Sequence, residues 1–148
     1  MNVCVLGAGA WGTALAIHIA KKHNVVLWAR DSSHVSGMEK SRANPLYLGD
    51  FIFPKNLALE NNLDLAIESA EILISVVPTS GFRSVLNNIQ RINKNIPIIW
   101  ANKGLEKGTA NLPHEVAIDV LGTPNTNNNR HFGVISGPSF AAELVRDL

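Results

Sequence analysis

Residues 3–16 read Val-Cys-Val-Leu-Gly-Ala-Gly-Ala-Trp-Gly-Thr-Ala-Leu-Ala. An apolar strand runs into Gly7-x-Gly9-x-x-Gly12, and small residues open a helix behind it. Each glycine has its own task in such a turn. Gly7 permits the tight turn off the strand, Gly9 omits a Cβ so that backbone can approach a pyrophosphate, and Gly12 lets the helix pack close to the sheet. The helix N-terminus then offers free N–H groups and a positive dipole end to the phosphates. A bare Gly-x-Gly-x-x-Gly says little. With a strand before it and a helix after it, the pattern predicts a dinucleotide site over Gly7, Gly9, Ala10 and Gly12, with Trp11 shielding the pocket.

Outward from this turn, apolar runs alternate with helix-period segments. Strands are expected at about 2–6, 25–28, 72–77, 97–100 and 131–135, with a short edge strand near 57–59. Helices are expected at about 11–22, 32–41, 62–69 and 112–121. The clearest helix carries Phe82, Val85, Leu86, Ile89 and Ile92, one apolar stripe at helical period, with Thr79 or Ser80 as its cap. Residues 42–56, with Asn44-Pro45 and Pro54-Lys55-Asn56, read as a long loop, and Thr123–Arg130 as an Asn-rich surface loop. Pro138 suits the first turn of a final helix. Strands alternating with helices imply an α/β fold of the Rossmann type, a doubly wound, mainly parallel sheet with helices on both faces. The near-continuous apolar strands agree, since both sheet faces are then covered.

Composition narrows the function. A chain of 148 residues with 46% apolar and 17% charged residues suits one globular domain, 1–148. A net charge of +1 with no basic run argues against a nucleic-acid surface. Residues 3–20 are mostly apolar, but no lysine or arginine precedes them and glycines and His18 interrupt them. That excludes a secretory leader and a membrane span, and a cytoplasmic protein is expected. The single cysteine, Cys4, lies in the first strand and reads as a small buried apolar residue. No two of His18, His23, His34, His114 and His131 have zinc-type spacing with another ligand type, so no metal site is expected. No Ser-His-Asp set can be argued either.

In an open α/β sheet, ligands bind at the carboxyl ends of the strands. Ala29-Arg30-Asp31 follows the second strand. An NAD-selective site usually has a carboxylate there for the ribose 2′-OH, whereas an arginine fork suits a 2′-phosphate. Arg30 therefore points to NADP(H) ahead of NAD(H), with the adjacent Asp31 keeping NAD(H) open. Pro78-Thr79-Ser80-Gly81-Phe82 follows the 72–77 strand, and Ala101-Asn102-Lys103-Gly104 the next one. Lys103 is placed to hold a phosphate or polarise a carbonyl oxygen. Ser136-Gly137-Pro138-Ser139-Phe140 follows the last strand. Its helix start reads either as an anion site or as a well-capped helix end.

Taken together, Val5–Ala16, Val77-Pro78, Trp100-Ala101-Asn102-Lys103-Gly104-Leu105-Glu106 and Ser136-Gly137-Pro138-Ser139-Phe140-Ala141 closely resemble bacterial NAD(P)-dependent glycerol-3-phosphate dehydrogenases. The resemblance runs from about residue 3 to the end, and the last two blocks are far more specific than the glycine fingerprint. It implies hydride transfer between NAD(P)(H) and sn-glycerol 3-phosphate or dihydroxyacetone phosphate, supplying glycerol 3-phosphate for phospholipid synthesis. By the resemblance, Trp11 and Arg30 contact the dinucleotide, Phe82 lies beside it and Ala141 touches it. Lys103 contacts cofactor and substrate as the catalytic lysine of this part, and Gly137 and Ser139 bind substrate.

Members of that family are roughly twice this length. The resemblance thus implies a fragment whose partner is its own C-terminal helical domain, with a homodimer as an option for the full-length protein. Two other readings remain at this point: another small-acid reductase of the same superfamily, and an NADP(H)-sensing module without catalysis.

Overall fold

The computed structural model describes residues 1–92, 95–123, 130–137 and 140–146. Twelve elements follow one another among them: β1 (Asn2–Leu6), α1 (Ala10–Ala20), β2 (Asn24–Trp28), α2 (Ser32–Ser41), β3 (Leu57–Glu60), α3 (Leu63–Ile67), β4 (Ile72–Ser75), α4 (Thr79–Ile92), β5 (Ile98–Trp100), α5 (Pro113–Leu121), β6 (Phe132–Val134) and α6 (Ala141–Val145). The strands form one six-stranded sheet in the order β3-β2-β1-β4-β5-β6. Every pairing is parallel, with Leu6 opposite both Trp28 and Ser75 at the carboxyl end of β1. This is the doubly wound arrangement expected from the sequence. Its topological switch lies between β1 and β4, where the chain first leaves to one side and then to the other.

Alternation along each strand feeds two cores. Cys4 and Leu6 of β1 join Trp28, Leu73, Ile98 and Trp100 beneath α3, α4 and α5. Val3 and Val5 join Val25, Leu27 and Ile74 beneath α1, α2 and α6. Cover on both faces accounts for the continuous apolar runs. The apolar stripe of α4 lies as expected, with Phe82, Val85, Leu86 and Ile89 all buried. Trp28 and Trp100 are core residues.

Three local expectations change. The 72–77 run leaves the sheet after Ser75, so Val76 and Val77 become loop. Thr79 is the first residue of α4, and its hydroxyl donates to the Lys103 carbonyl at 2.9 Å instead of capping the helix. The loop over 42–56 carries its own anchors: Asn44 and Phe53 are buried, and Phe53 N donates to Arg42 O at 2.7 Å. Pro138 and most of the Asn-rich loop lie outside the described residues.

Candidate cofactor and substrate site

The glycine turn has the geometry that its sequence predicts. Gly7 sits at φ +116°, a conformation that disfavours a side chain. A Cβ on Gly12 would stand 2.0 Å from the Gly7 carbonyl oxygen and 2.5 Å from Val76, so only glycine lets α1 start this close to β1 and β4. A Cβ on Gly9 would meet nothing within 4 Å, so the turn faces open space there. Gly9 is the N-cap of α1 and supplies no side-chain cap, and the first turn holds no acidic residue. The start of the helix therefore has the chemistry that suits an anion. A dinucleotide pyrophosphate fits these residues.

A buried asparagine fixes the turn from behind. Asn44 donates through Nδ2 to the Ala8 carbonyl at 2.9 Å and to Thr13 Oγ1 at 2.8 Å. Its Oδ1 lies 3.0 Å from His34 Nε2, and its carbonyl accepts from the N–H groups of Tyr47, Leu48 and Gly49. Sequence reasoning read Asn44-Pro45 as a loop signal, in a loop over 44–54 that also resembles the family, and gave the Asn44 side chain no task. A polar side chain buried in the fold could be found only from the structure.

A cleft of about 380 Å³ opens at the switch point, on the carboxyl ends of β1, β4, β5 and β6. Trp11 lines it from the glycine turn, Val76–Thr79 from β4, Ala101–Lys103 from β5, and Ile135–Gly137 from β6. Lys103 is the only charged residue among the described lining, so the cleft suits an anionic ligand. Its side chain is exposed and has no protein hydrogen-bond or ion-pair partner among the described residues. Asn102 donates to the Val77 carbonyl at 2.6 Å, and its buried Oδ1 has no partner. These groups meet although 92 residues separate Trp11 from Lys103 in the chain.

The other expected site residues fall around this centre. Arg30 is exposed just past β2, with no partner among the described residues. Asp31 caps α2, accepting from Ser33 N and Oγ at 2.8 and 2.7 Å and from His34 N at 3.3 Å. The Ser33 hydroxyl and the two backbone N–H groups hold its carboxyl below the usual carboxylate range. Gly137 lines the cleft. Ala141 begins α6 and packs against the core behind α1. Ser139 lies outside the described residues.

Phe82 is 1% exposed and packs on Trp100, ring centroids 5.8 Å apart, on the sheet side of α4. The stripe that made α4 legible turns this ring into the core. Cys4 is equally inaccessible, and burial pushes its thiol up to about 12. Sequence reasoning also missed the partner of Glu106. Arg83 grips that carboxylate with two N–H groups at 2.7 and 2.9 Å and, with the Thr109 hydroxyl, holds its pKa down to about 2.

Fold and cleft together define a dinucleotide-binding domain with an anion-seeking site beside the cofactor turn. Its comparisons with known proteins agree. The family model described as the N-terminus of NAD-dependent glycerol-3-phosphate dehydrogenase matches residues 2–148, and the chain belongs to that family. It is 54% identical over 148 residues to the glycerol-3-phosphate dehydrogenase [NAD(P)+] of Methylobacillus flagellatus, covering all of this chain and 44% of that protein. The enzyme of the same description from Thiobacillus denitrificans is 44% identical over 145 residues, 98% of this chain and 43% of its own length. A crystal structure of glycerol-3-phosphate dehydrogenase from Coxiella burnetii superposes with a TM-score of 0.88 at 36% identity, over 99% of this chain and 44% of that one. The chain thus spans less than half the length of these relatives. Among the described residues, no helix is long and apolar enough to cross a membrane.

Proposed function

We propose that this chain is the cofactor-binding part of an sn-glycerol-3-phosphate dehydrogenase. The observation that carries the reading is the cleft at the switch point, where Trp11, Lys103 and Gly137 meet beside an uncapped helix start. Gly9–Gly12 would hold the pyrophosphate of the cofactor, Arg30 its adenosine end, and Lys103 would stand at its reacting end. The bound nicotinamide supplies the hydride for the carbonyl carbon of dihydroxyacetone phosphate, and a proton completes the hydroxyl of glycerol 3-phosphate. Lys103 holds the anionic substrate and draws charge from its carbonyl oxygen. Gly137 and Ser139 bound the substrate, and a helical C-terminal domain, as the resemblance implies, closes the site and handles the proton. The product serves phospholipid synthesis in the cytoplasm, and the full-length enzyme is compatible with a homodimer.

Two features favour NADP(H) over NAD(H). Arg30 is exposed just past β2 and has no partner among the described residues, which leaves its guanidinium open to a 2′-phosphate. Asp31, the carboxylate that could take a ribose 2′-OH, is committed to capping α2. A charge-assisted hydrogen bond of roughly 1.5–3 kcal/mol gives a preference on the order of tenfold to a hundredfold. Titration with NADPH and NADH measures it directly. NADPH is expected to bind more tightly, and Arg30→Ala to bring the two dissociation constants together. Equal constants in the unaltered chain, or an unchanged ratio in the variant, would remove Arg30 from the site.

A further inference from the structure

Glu106 closes the Lys103-Gly104-Leu105-Glu106 stretch without lining the cleft. The loop between them is tied at both ends. At the near end, Ala101 N donates to Ser75 O at 3.0 Å, and the Lys103 carbonyl accepts the Thr79 hydroxyl at 2.9 Å. Gly104 then turns the chain at φ +94°. At the far end, Arg83 Nε and Nη2 reach Glu106 Oε1 and Oε2 at 2.7 and 2.9 Å, and Thr109 Oγ1 donates to Oε2 at 2.6 Å. Arg83 Nη1 also pairs with Asp119 of α5. Glu106 N donates to Asn111 O at 2.8 Å and Ala110 N to Glu106 O at 2.9 Å, closing 106–111 on itself.

The Arg83 side chain is 30% exposed and that of Glu106 12%. Ion pairs so close to solvent add little to stability. A planar, bidentate guanidinium–carboxylate contact is nevertheless a strong constraint on orientation. Arg83 comes from α4, whose buried stripe fixes it to the sheet, so the constraint refers the loop to the rigid part of the fold.

We propose that the Arg83–Glu106 pair positions Lys103, fixing the far end of its loop so that the ammonium is presented to the cleft. The inference rests on the reading of Lys103 as a substrate-contacting group. Neither member of the pair lines the cleft. Both act through Lys103, and their loss falls more heavily on the substrate-dependent step than on cofactor binding.

The test is a mutant cycle in the full-length enzyme that carries this segment, with dihydroxyacetone phosphate and NADPH as substrates. Arg83→Lys and Glu106→Gln are each expected to lower kcat/KM for dihydroxyacetone phosphate by about tenfold, since small misplacements of a catalytic group cost rate steeply. The KM for NADPH is expected to stay within about twofold. In a Lys103→Ala background, either change is expected to cost less than about twofold more, because groups acting through one another are not additive. Equal losses in both backgrounds would mark the pair as scaffolding and overturn the inference. So would a costly Lys103→Ala beside harmless pair variants. A harmless Lys103→Ala would overturn the reading of Lys103 and the inference with it. Glu106→Asp keeps the charge and replaces Glu106→Gln if thermal melting shows that variant unfolded.

Discussion

Gly9 and Gly12 lie three residues apart and do opposite things. Gly12 is required by the fold, because a Cβ there would overlap the Gly7 carbonyl oxygen. Gly9 leaves open space, and φ −73° at that position suits any residue. Gly12→Ala is therefore expected to destabilise the chain by about 1–3 kcal/mol or more, the usual cost of forcing an extra carbon into packed structure. Gly9→Ala is expected to melt as the unaltered chain does, yet to bind NADPH about tenfold more weakly, a loss of about 1.4 kcal/mol. Calorimetric melting and a fluorescence titration of both variants separate the two roles. Equal melting of both would count against the packing account. Phe82 shows how a periodic stripe is read at the residue scale, since its ring lies buried against Trp100 with the rest of that stripe.

At the scale of elements, the loop over 42–56 supports the cofactor turn through one side chain. Asn44 joins Ala8, Thr13 and His34, residues of the glycine turn, α1 and α2. Replacing it by alanine leaves buried donors and acceptors unmatched, which costs about 1–3 kcal/mol. Asn44→Ala is expected to lower the melting temperature and to weaken NADPH binding together, and an unchanged affinity would show that the turn holds its shape unaided. The Arg83–Glu106 pair links α4 to the Lys103 loop and gives an acid signature. The folded pKa of Glu106, about 2, lies below its ordinary 4.5, so its contribution to stability is complete above about pH 4.5 and is lost as pH falls toward 2. In Glu106→Gln, the fall in stability between these values is expected to be shallower, measured by urea unfolding across that range.

The element order, the parallel sheet and the core helices were legible because strand and helix periods are local and strong here, above all in β1, β4 and α4. The strand-end rule brings Trp11, Lys103 and Gly137 to one edge from the sequence alone. What stayed hidden was non-local. The contact of Asn44 with Ala8 spans 36 residues, and that of Arg83 with Glu106 spans 23. No periodicity announces such pairs. Helix-cap chemistry misled at Thr79 for the same reason, since the competing acceptor lay 24 residues away.

For the molecule as a whole, the chain is expected to bind NADPH but not to reduce dihydroxyacetone phosphate by itself. Its cleft is walled by four strand ends of one sheet, and its relatives are more than twice as long. Loss of NADPH absorbance with dihydroxyacetone phosphate and the purified 148 residues tests this, and sustained turnover would show that the site is already complete.

The last helix has a consequence for the birth of the protein. Val145, with Ala141 and Leu144 beside it, seals the same core as Ala14 and Ile17 of the helix behind the glycine turn. On the ribosome, β1 and α1 emerge before α6, and their outer face stays uncovered until α6 has left the exit tunnel. A nascent chain arrested before α6 is thus expected to be protease-sensitive and in need of a chaperone, however complete its fingerprint.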